Sequence, residues 1–234
     1  MTQHGKKYRA LIAKVDRTKL YELDEALAFL KGNKYSKFDE TAEIAFRLGV
    51  DPTQSDQNVR GTVALPHGTG KKVRVLVFAT GPQADAARAA GADHVGFEDL
   101  IAKVSGGWTD VDVIVATPET MKEVRKLGKV LGPRGLMPNP KSGTVTEDTA
   151  GAVKQFQAGR VEFRMDKNGN VQVPFGKLSF TIPALHENCR AIIDAVQHAR
   201  PASTKGIYIK RVTLSSTMGP GLHVNVRDAV ATAA

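Results

Sequence analysis

The rhythm of apolar and polar positions changes twice along the chain, near residues 66 and 159. In the first stretch, Leu20, Leu23, Leu27 and Leu30 recur at three- and four-residue spacing, which predicts an amphipathic helix capped by Thr18 and ended by Gly32. A strand follows, with Ile44, Phe46 and Leu48 on one face and Thr41, Glu43, Ala45 and Arg47 on the other. Val59–Leu65 is predicted as a further strand.

The middle stretch alternates strands with helices. Val73–Ala79, Asp93–Gly96 and Val111–Ala116 read as strands. Gln83–Ala90, Phe97–Val104, Pro118–Leu127 and Thr146–Gln157 read as helices. That order implies right-handed βαβ units around a parallel sheet. The last stretch returns to antiparallel signals. Val161–Met165 and Val171–Phe175 flank Asp166-Lys167-Asn168-Gly169-Asn170, a hairpin turn containing Asn-Gly. A helix over Pro183–Ala199 carries Leu185, Cys189, Ile192, Ile193 and Val196 on one face, and strands at Gly206–Ser215 and Leu222–Val226 close the pattern.

Neither end piece has enough helix to cover its strands alone. Residues 1–66 and 159–234 together make an antiparallel α+β unit, into which the α/β stretch 67–158 is inserted. The two crossings, near Pro66–Gly70 and Gln157–Gly159, carry Pro66, Gly68, Gly70 and Gly159, and glycine absorbs dihedral change cheaply, so a hinge is expected there. A single packed body with glycine turns also fits this pattern.

Composition narrows the function. Lys and Arg total 33 against 24 Asp and Glu in 234 residues, a formal charge of +9 that favours polyanionic partners. The excess is uneven: the composite end unit carries +7 and the insertion +2, so the end unit is the better candidate for a polyanion. The longest apolar stretches, Val73–Ala79 and Val111–Ala116, fall far short of the roughly 18 residues a membrane span needs. Met1–Lys14 is basic but leads into no apolar run, so a secretory leader is not expected. The lone Cys189 excludes an internal disulfide framework and a Cys-based zinc site, which fits a reducing, cytoplasmic setting.

Catalytic patterns do not assemble. Gly68-Thr69-Gly70-Lys71-Lys72-Val73 has two glycines of a dinucleotide fingerprint but precedes a strand, and the strand-to-helix turn Ala79-Thr80-Gly81-Pro82 has a single glycine. A phosphate loop would need a glycine where Leu65 stands and a hydroxyl residue where Lys72 stands. His186 and Cys189 lie three apart on a helix without further ligands near in sequence, and no Gly-x-Ser-x-Gly elbow occurs. No enzyme activity, metal or cofactor is expected.

Two segments of the end unit combine the chemistry of RNA contact. Lys34-Tyr35-Ser36-Lys37-Phe38-Asp39-Glu40-Thr41 leads into the alternating strand, and Ser215-Ser216-Thr217-Met218-Gly219-Pro220-Gly221 joins the last two strands. Lysine contacts phosphate, an exposed aromatic or methionine offers a face to a base or ribose, and threonine hydroxyls and a carboxylate bind ribose hydroxyls. Ordinary turns, with Phe38 covering the core, fit the same residues. A third segment, Leu127 to Gly143, reads as a long Gly/Pro-rich loop with Lys129, Arg134 and Lys141 spaced for phosphates, or as a brace for the hinge.

Longer motifs carry a resemblance. They are Lys37-Phe38-Asp39-Glu40-Thr41, then Ser55-Asp56-Gln57-Asn58-Val59-Arg60-Gly61-Thr62-Val63 with Leu65-Pro66-His67-Gly68, then Gly132-Pro133-Arg134-Gly135-Leu136-Met137-Pro138, and finally Thr217-Met218-Gly219. On these motifs, spread over nearly the whole length, the chain resembles the family of the bacterial large-subunit ribosomal protein one, which sits in the mobile stalk beside the transfer-RNA exit site. The resemblance implies an α/β fold class, with an α+β end domain holding an antiparallel sheet and an inserted Rossmann-like α/β domain. It implies a non-enzymatic protein of the large ribosomal subunit, without cofactor or membrane partner and monomeric off the ribosome. The implied partners are large-subunit ribosomal RNA of the stalk, E-site transfer RNA, whose deacylated form it helps release, and the protein's own operon message, whose translation it represses. The implied RNA face matches Lys37, Phe38, Thr41, Glu43, Thr217, Met218 and Gly219. Sequence position adds Ser215 and the turn bearing Arg164 and Lys167. One departure is the small Ala42 before Glu43, where the family pattern has a larger apolar residue, a change expected to affect packing more than contact.

Overall fold

In the computed structural model, residues 5–225 are described, apart from the side chains of Ser55 and Lys141. In chain order they form α1 (Lys6–Ile12), α2 (Leu23–Gly32), β1 (Thr41–Leu48), β2 (Arg60–Ala64), β3 (Val75–Phe78), α3 (Pro82–Ala89), β4 (His94–Gly96), α4 (Glu98–Ser105), β5 (Val113–Ala116), α5 (Met121–Val124), α6 (Gly128–Leu131), α7 (Thr149–Gln157), β6 (Arg160–Arg164), β7 (Asn170–Lys177), α8 (Ile182–His198), β8 (Ile209–Ser216) and β9 (Leu222–Val224). The chain divides into two units: the described residues up to Gly70 together with those from Val161 onward, and Lys71–Arg160.

The first unit is built on a sheet of order β7-β1-β8-β9, antiparallel throughout, with β2 and β6 paired separately. β1 follows its period of two: Ala42, Ile44, Phe46 and Leu48 are buried, whereas Glu43 and Arg47 face water. Ala42 thus points into the core, where its small size bears on packing. Helix α8 lays Leu185, Cys189, Ile192, Ile193 and Val196 against the same core. Its start is set by Thr181, whose hydroxyl accepts the Ala184 N–H (3.4 Å), and by Pro183 in the first turn. Buried Asn188 accepts the His67 N–H (3.0 Å) and donates to the carbonyls of Gly68 (2.9 Å) and Phe175 (2.8 Å). One side chain thereby anchors the 66–70 segment to α8. Pro66, Gly68 and Gly70 belong to this unit and Gly159 to the other, the three glycines having φ of 64°, 70° and 107°.

The second unit has a parallel sheet of order β4-β3-β5. All of β3 is buried: Leu76 and Phe78 face a core with α4, Val124, Leu127 and Leu131, and Val75 and Val77 face α3 and α7. The continuous apolar run of β3 reflects cover on both faces.

Four expectations need correction. Helix α2 begins at Leu23 and is not capped by Thr18, because the Asp16 carboxylate takes both the N–H and the hydroxyl of Thr18 and Tyr21 then pairs with β9, its N–H donating to the His223 carbonyl (2.8 Å). Leu20 therefore lies outside the helical stripe and is 61% exposed. The Asp166–Asn170 turn forms, with Gly169 at φ 76° and Asp166 accepting the N–H groups of Asn168 and Asn170 at 2.8 Å each, but among the described residues its arms are joined no further than the Asp166 N–H to Asn170 carbonyl bond (2.8 Å) and the Met165–Val171 bridge. Beyond that bridge β6 goes to β2 and β7 to β1, so the arms serve two sheets. The helix expected over Pro118–Leu127 is shortened to α5 and a 3₁₀ turn, Arg125–Leu127, because the buried Thr117 and Thr120 hydroxyls, Thr120 also donating to the Phe78 carbonyl (2.9 Å), hold the approach. The stretch expected as a bare loop contains α6 and a 3₁₀ turn at Pro140–Ser142, with Leu131 buried beneath it. The expected Ala229–Ala234 tail and Val226, the end of the last predicted strand, lie outside the described residues.

Candidate RNA-binding surface

The two segments singled out for RNA contact, far apart in the chain, meet at the Thr41 end of β1. Antiparallel pairing of β1 with β8 puts Glu43 opposite Ser215 and continues past the strand: Thr217 N–H donates to the Thr41 carbonyl (3.0 Å), and the Thr41 N–H donates back to the Thr217 hydroxyl (3.0 Å). The Tyr35 hydroxyl donates to the Met218 carbonyl (2.9 Å). Glu40 lies beneath, accepting from the Ser216 hydroxyl (2.6 Å) and the Met218 N–H (3.3 Å). Gly219 closes the turn on Ser216, where a Cβ would stand 2.5 Å from the Ser216 Oγ, so no side chain fits without displacing that hydroxyl.

What this clamp leaves outward is distinctive. Phe38 is 51% and Met218 43% exposed, two of the four large apolar side chains left exposed among the described residues. Lys37, Glu43 and Thr217 are exposed beside them, and Thr41 and Ser215 are half-buried. Lys177 donates to the Thr41 hydroxyl (2.8 Å). Asp39 accepts from the Ser179 hydroxyl (2.7 Å), and that bond, followed by the attraction of Lys34, holds its carboxyl below the usual range. The surface therefore offers two apolar faces, hydroxyls, a carboxylate and lysine in place of an arginine cluster.

Not all the predicted residues join it. Arg164 and Lys167 are exposed, but the turn bearing Lys167 meets Arg47, which donates to the Asn168 carbonyl at the other end of β1. Six strand residues separate the two ends, roughly 20 Å. Lys129 and Arg134 are exposed in the second unit, where Arg134 donates to the Thr109 hydroxyl, and the Lys141 side chain is outside the described set. Tyr35, Glu40 and Ser216, which lie in the two segments but were given no individual role in sequence, and Lys177, which lies outside them, take part in the geometry, since each acts through a pairing between distant parts of the chain. The outer face of the same sheet also holds a groove of about 500 Å³ lined by Arg47, Lys210, Arg211, Thr213 and His223, a basic strip that alternation along separate strands did not disclose.

Elsewhere, Cys189 is fully buried and burial pushes its thiol up, as expected of a small core residue, and His186 approaches Asp24 at 3.7 Å. Among the described residues no group of three His, Cys, Asp or Glu is placed to hold a metal ion, and no helix is long and apolar enough to cross a membrane.

A family model, that of the Ribosomal protein L1p/L10e family, matches residues 30–220. The matched span runs from the end of α2 through the whole second unit to the turn after β8, and it contains both clamped segments. The chain therefore belongs to the Ribosomal protein L1p/L10e family, as a structural, RNA-binding component of the large ribosomal subunit.

Proposed function

We propose that the first unit binds the stalk region of large-subunit ribosomal RNA through the surface at the Thr41 end of β1. Phe38 and Met218 lie against bases or riboses, Lys37 meets phosphate, and Thr41, Glu43, Ser215 and Thr217 address ribose hydroxyls, with Gly219 allowing close backbone approach. The observation that carries this reading is the mutual clamping of residues 35–41 and 216–219, which holds two large apolar side chains in water. Arg164, Lys167, Lys129, Arg134 and Lys141 are outlying phosphate contacts in the same reading. Shape and hydroxyl recognition would let the same surface bind the protein's own operon message and repress it, and the ribosome-bound protein assist release of deacylated transfer RNA from the E site. The crossings at Pro66, Gly68, Gly70 and Gly159 act as the hinge between the RNA-binding unit and the inserted unit.

Binding to a stalk RNA fragment and to a scrambled hairpin of equal length, at two salt concentrations, tests the central claim. Preference for the stalk fragment that persists at the higher salt, with a moderate salt slope because few phosphates are neutralised, is expected. Equal, steeply salt-dependent binding to both would leave only generic basic attraction. Competition by the operon leader RNA and by deacylated transfer RNA tests the two further partners. Distance distributions between labels on α7 and α8 test the hinge, which a single narrow distance would refute.

A further inference from the structure

Glu40 lies beneath the candidate surface, out of contact with solvent. It is 1% exposed, yet it stands between exposed Phe38 and half-buried Thr41 and reaches the opposite segment. Its Oε2 accepts from two donors, the Ser216 Oγ at 2.6 Å and the Met218 N–H at 3.3 Å. The Ser216 Oγ in turn accepts the Gly219 N–H (3.1 Å). The two backbone polar groups of Met218 are thus both held from residues 35–40, its N–H by Glu40 and its carbonyl by the Tyr35 hydroxyl.

A packing role explains this carboxylate poorly. Its Oε1 is buried with no donor at full hydrogen-bond distance and only Ser36 nearby, and an under-satisfied buried oxygen costs stability. A negative charge beneath a surface that meets phosphate also opposes binding on simple Coulomb grounds. What the carboxylate supplies, and an apolar residue does not, is one acceptor that ties the Ser216 hydroxyl and the Met218 N–H to the Phe38 segment.

We infer that Glu40 is a positioning residue for RNA binding: it sets the Thr217-Met218-Gly219 turn in register with Lys37 and Phe38, and acts on RNA only through that turn. The inference rests on the RNA-contact reading of the Met218 surface. Burial alone pushes the Glu40 carboxyl up, but the Ser216 hydroxyl, nearby Ser36 and the Met218 N–H outweigh it and hold the carboxyl below its ordinary value, consistent with an ionised acceptor.

The test is a double-mutant cycle on the full chain, with affinity for the stalk RNA fragment and thermal unfolding measured for each variant. Met218→Ala removes a contact and Glu40→Met removes the acceptor at nearly constant volume. Each is expected to weaken binding roughly tenfold, and the double variant to be no weaker than about twofold below the poorer single, because both changes remove the same interaction. Glu40→Gln keeps a carbonyl acceptor and is expected to recover most of the lost affinity, a rescue that a purely steric role would not produce. Wild-type binding by Met218→Ala would overturn the contact reading and this inference with it. Weakened Met218→Ala beside unaffected Glu40→Met, or losses that multiply in the double variant, would overturn the inference alone. Should Glu40→Met fail to fold, Ser216→Ala, which removes one of the two donors to Glu40, takes its place in the cycle with the same expected outcomes.

Discussion

Truncating Phe38 to alanine tests binding apart from folding. A phenylalanine side chain presents roughly 150–250 Å². With 51% of Phe38 exposed in the free protein, about 100 Å² is left for RNA to cover. At about 25 cal/mol per Å² that area is worth about 2–3 kcal/mol, which agrees with the roughly 1–3 kcal/mol measured for base-to-aromatic stacking. Phe38→Ala should therefore weaken binding of the stalk RNA fragment by roughly 30-fold or more. The backbone here is held independently of the ring: the Ser36 hydroxyl donates to the Phe38 carbonyl (2.9 Å) and Asp39 bonds Ser179. Thermal unfolding should shift by less than binding does, since the covered half of the ring lies outside the buried core of the first unit. Equilibrium titration at fixed salt, paired with an unfolding curve, is the assay. An affinity within twofold of wild type in a folded variant would refute the contact assignment, and a matching loss of stability would show that the ring belongs to the core.

Three further outcomes follow from the packing. Asn188→Ala leaves the His67 N–H and the Gly68 and Phe175 carbonyls without their buried partner and should cost about 2–4 kcal/mol, visible as a clear drop in unfolding temperature; an unchanged midpoint would contradict the anchoring role. Burial pushes the Asp112 carboxyl up, but Lys71 (2.6 Å) and the N–H and guanidinium of Arg74 outweigh it and hold it below 3.8. A value depressed by folding contributes stability above the unfolded pKa, lost as pH falls through the lower folded value, so Asp112→Asn should flatten the stability profile below about pH 4, as read from chemical denaturation across pH. Leu20→Ser should change stability by no more than about 0.5 kcal/mol, whereas Leu27→Ala should cost about 2–5 kcal/mol; comparable losses would restore Leu20 to the helix stripe.

The sequence by itself determined whatever depends on local period. Alternation at Ile44, Phe46 and Leu48 placed β1 and its buried face, the stripe from Leu185 to Val196 placed α8, and strands alternating with helices over the middle stretch gave the parallel sheet β4-β3-β5. These patterns were legible because a side chain's direction repeats every two residues in a strand and every three to four in a helix, whatever lies opposite. The start of α2 was not legible, since it turns on Tyr21 pairing with β9 about two hundred residues away. Nor was the parting of β6 from β7, where a well-formed local turn gives way to the demand of β7 for β1. The candidate surface shows both sides of this division. Phe38, Met218 and the hydroxyls beside them stood out by residue type, but their assembly depends on Glu40 and Ser216, which are 176 positions apart and joined only in the folded chain. Local periodicity fixes which way each side chain points, and tertiary pairing alone decides which side chains it faces.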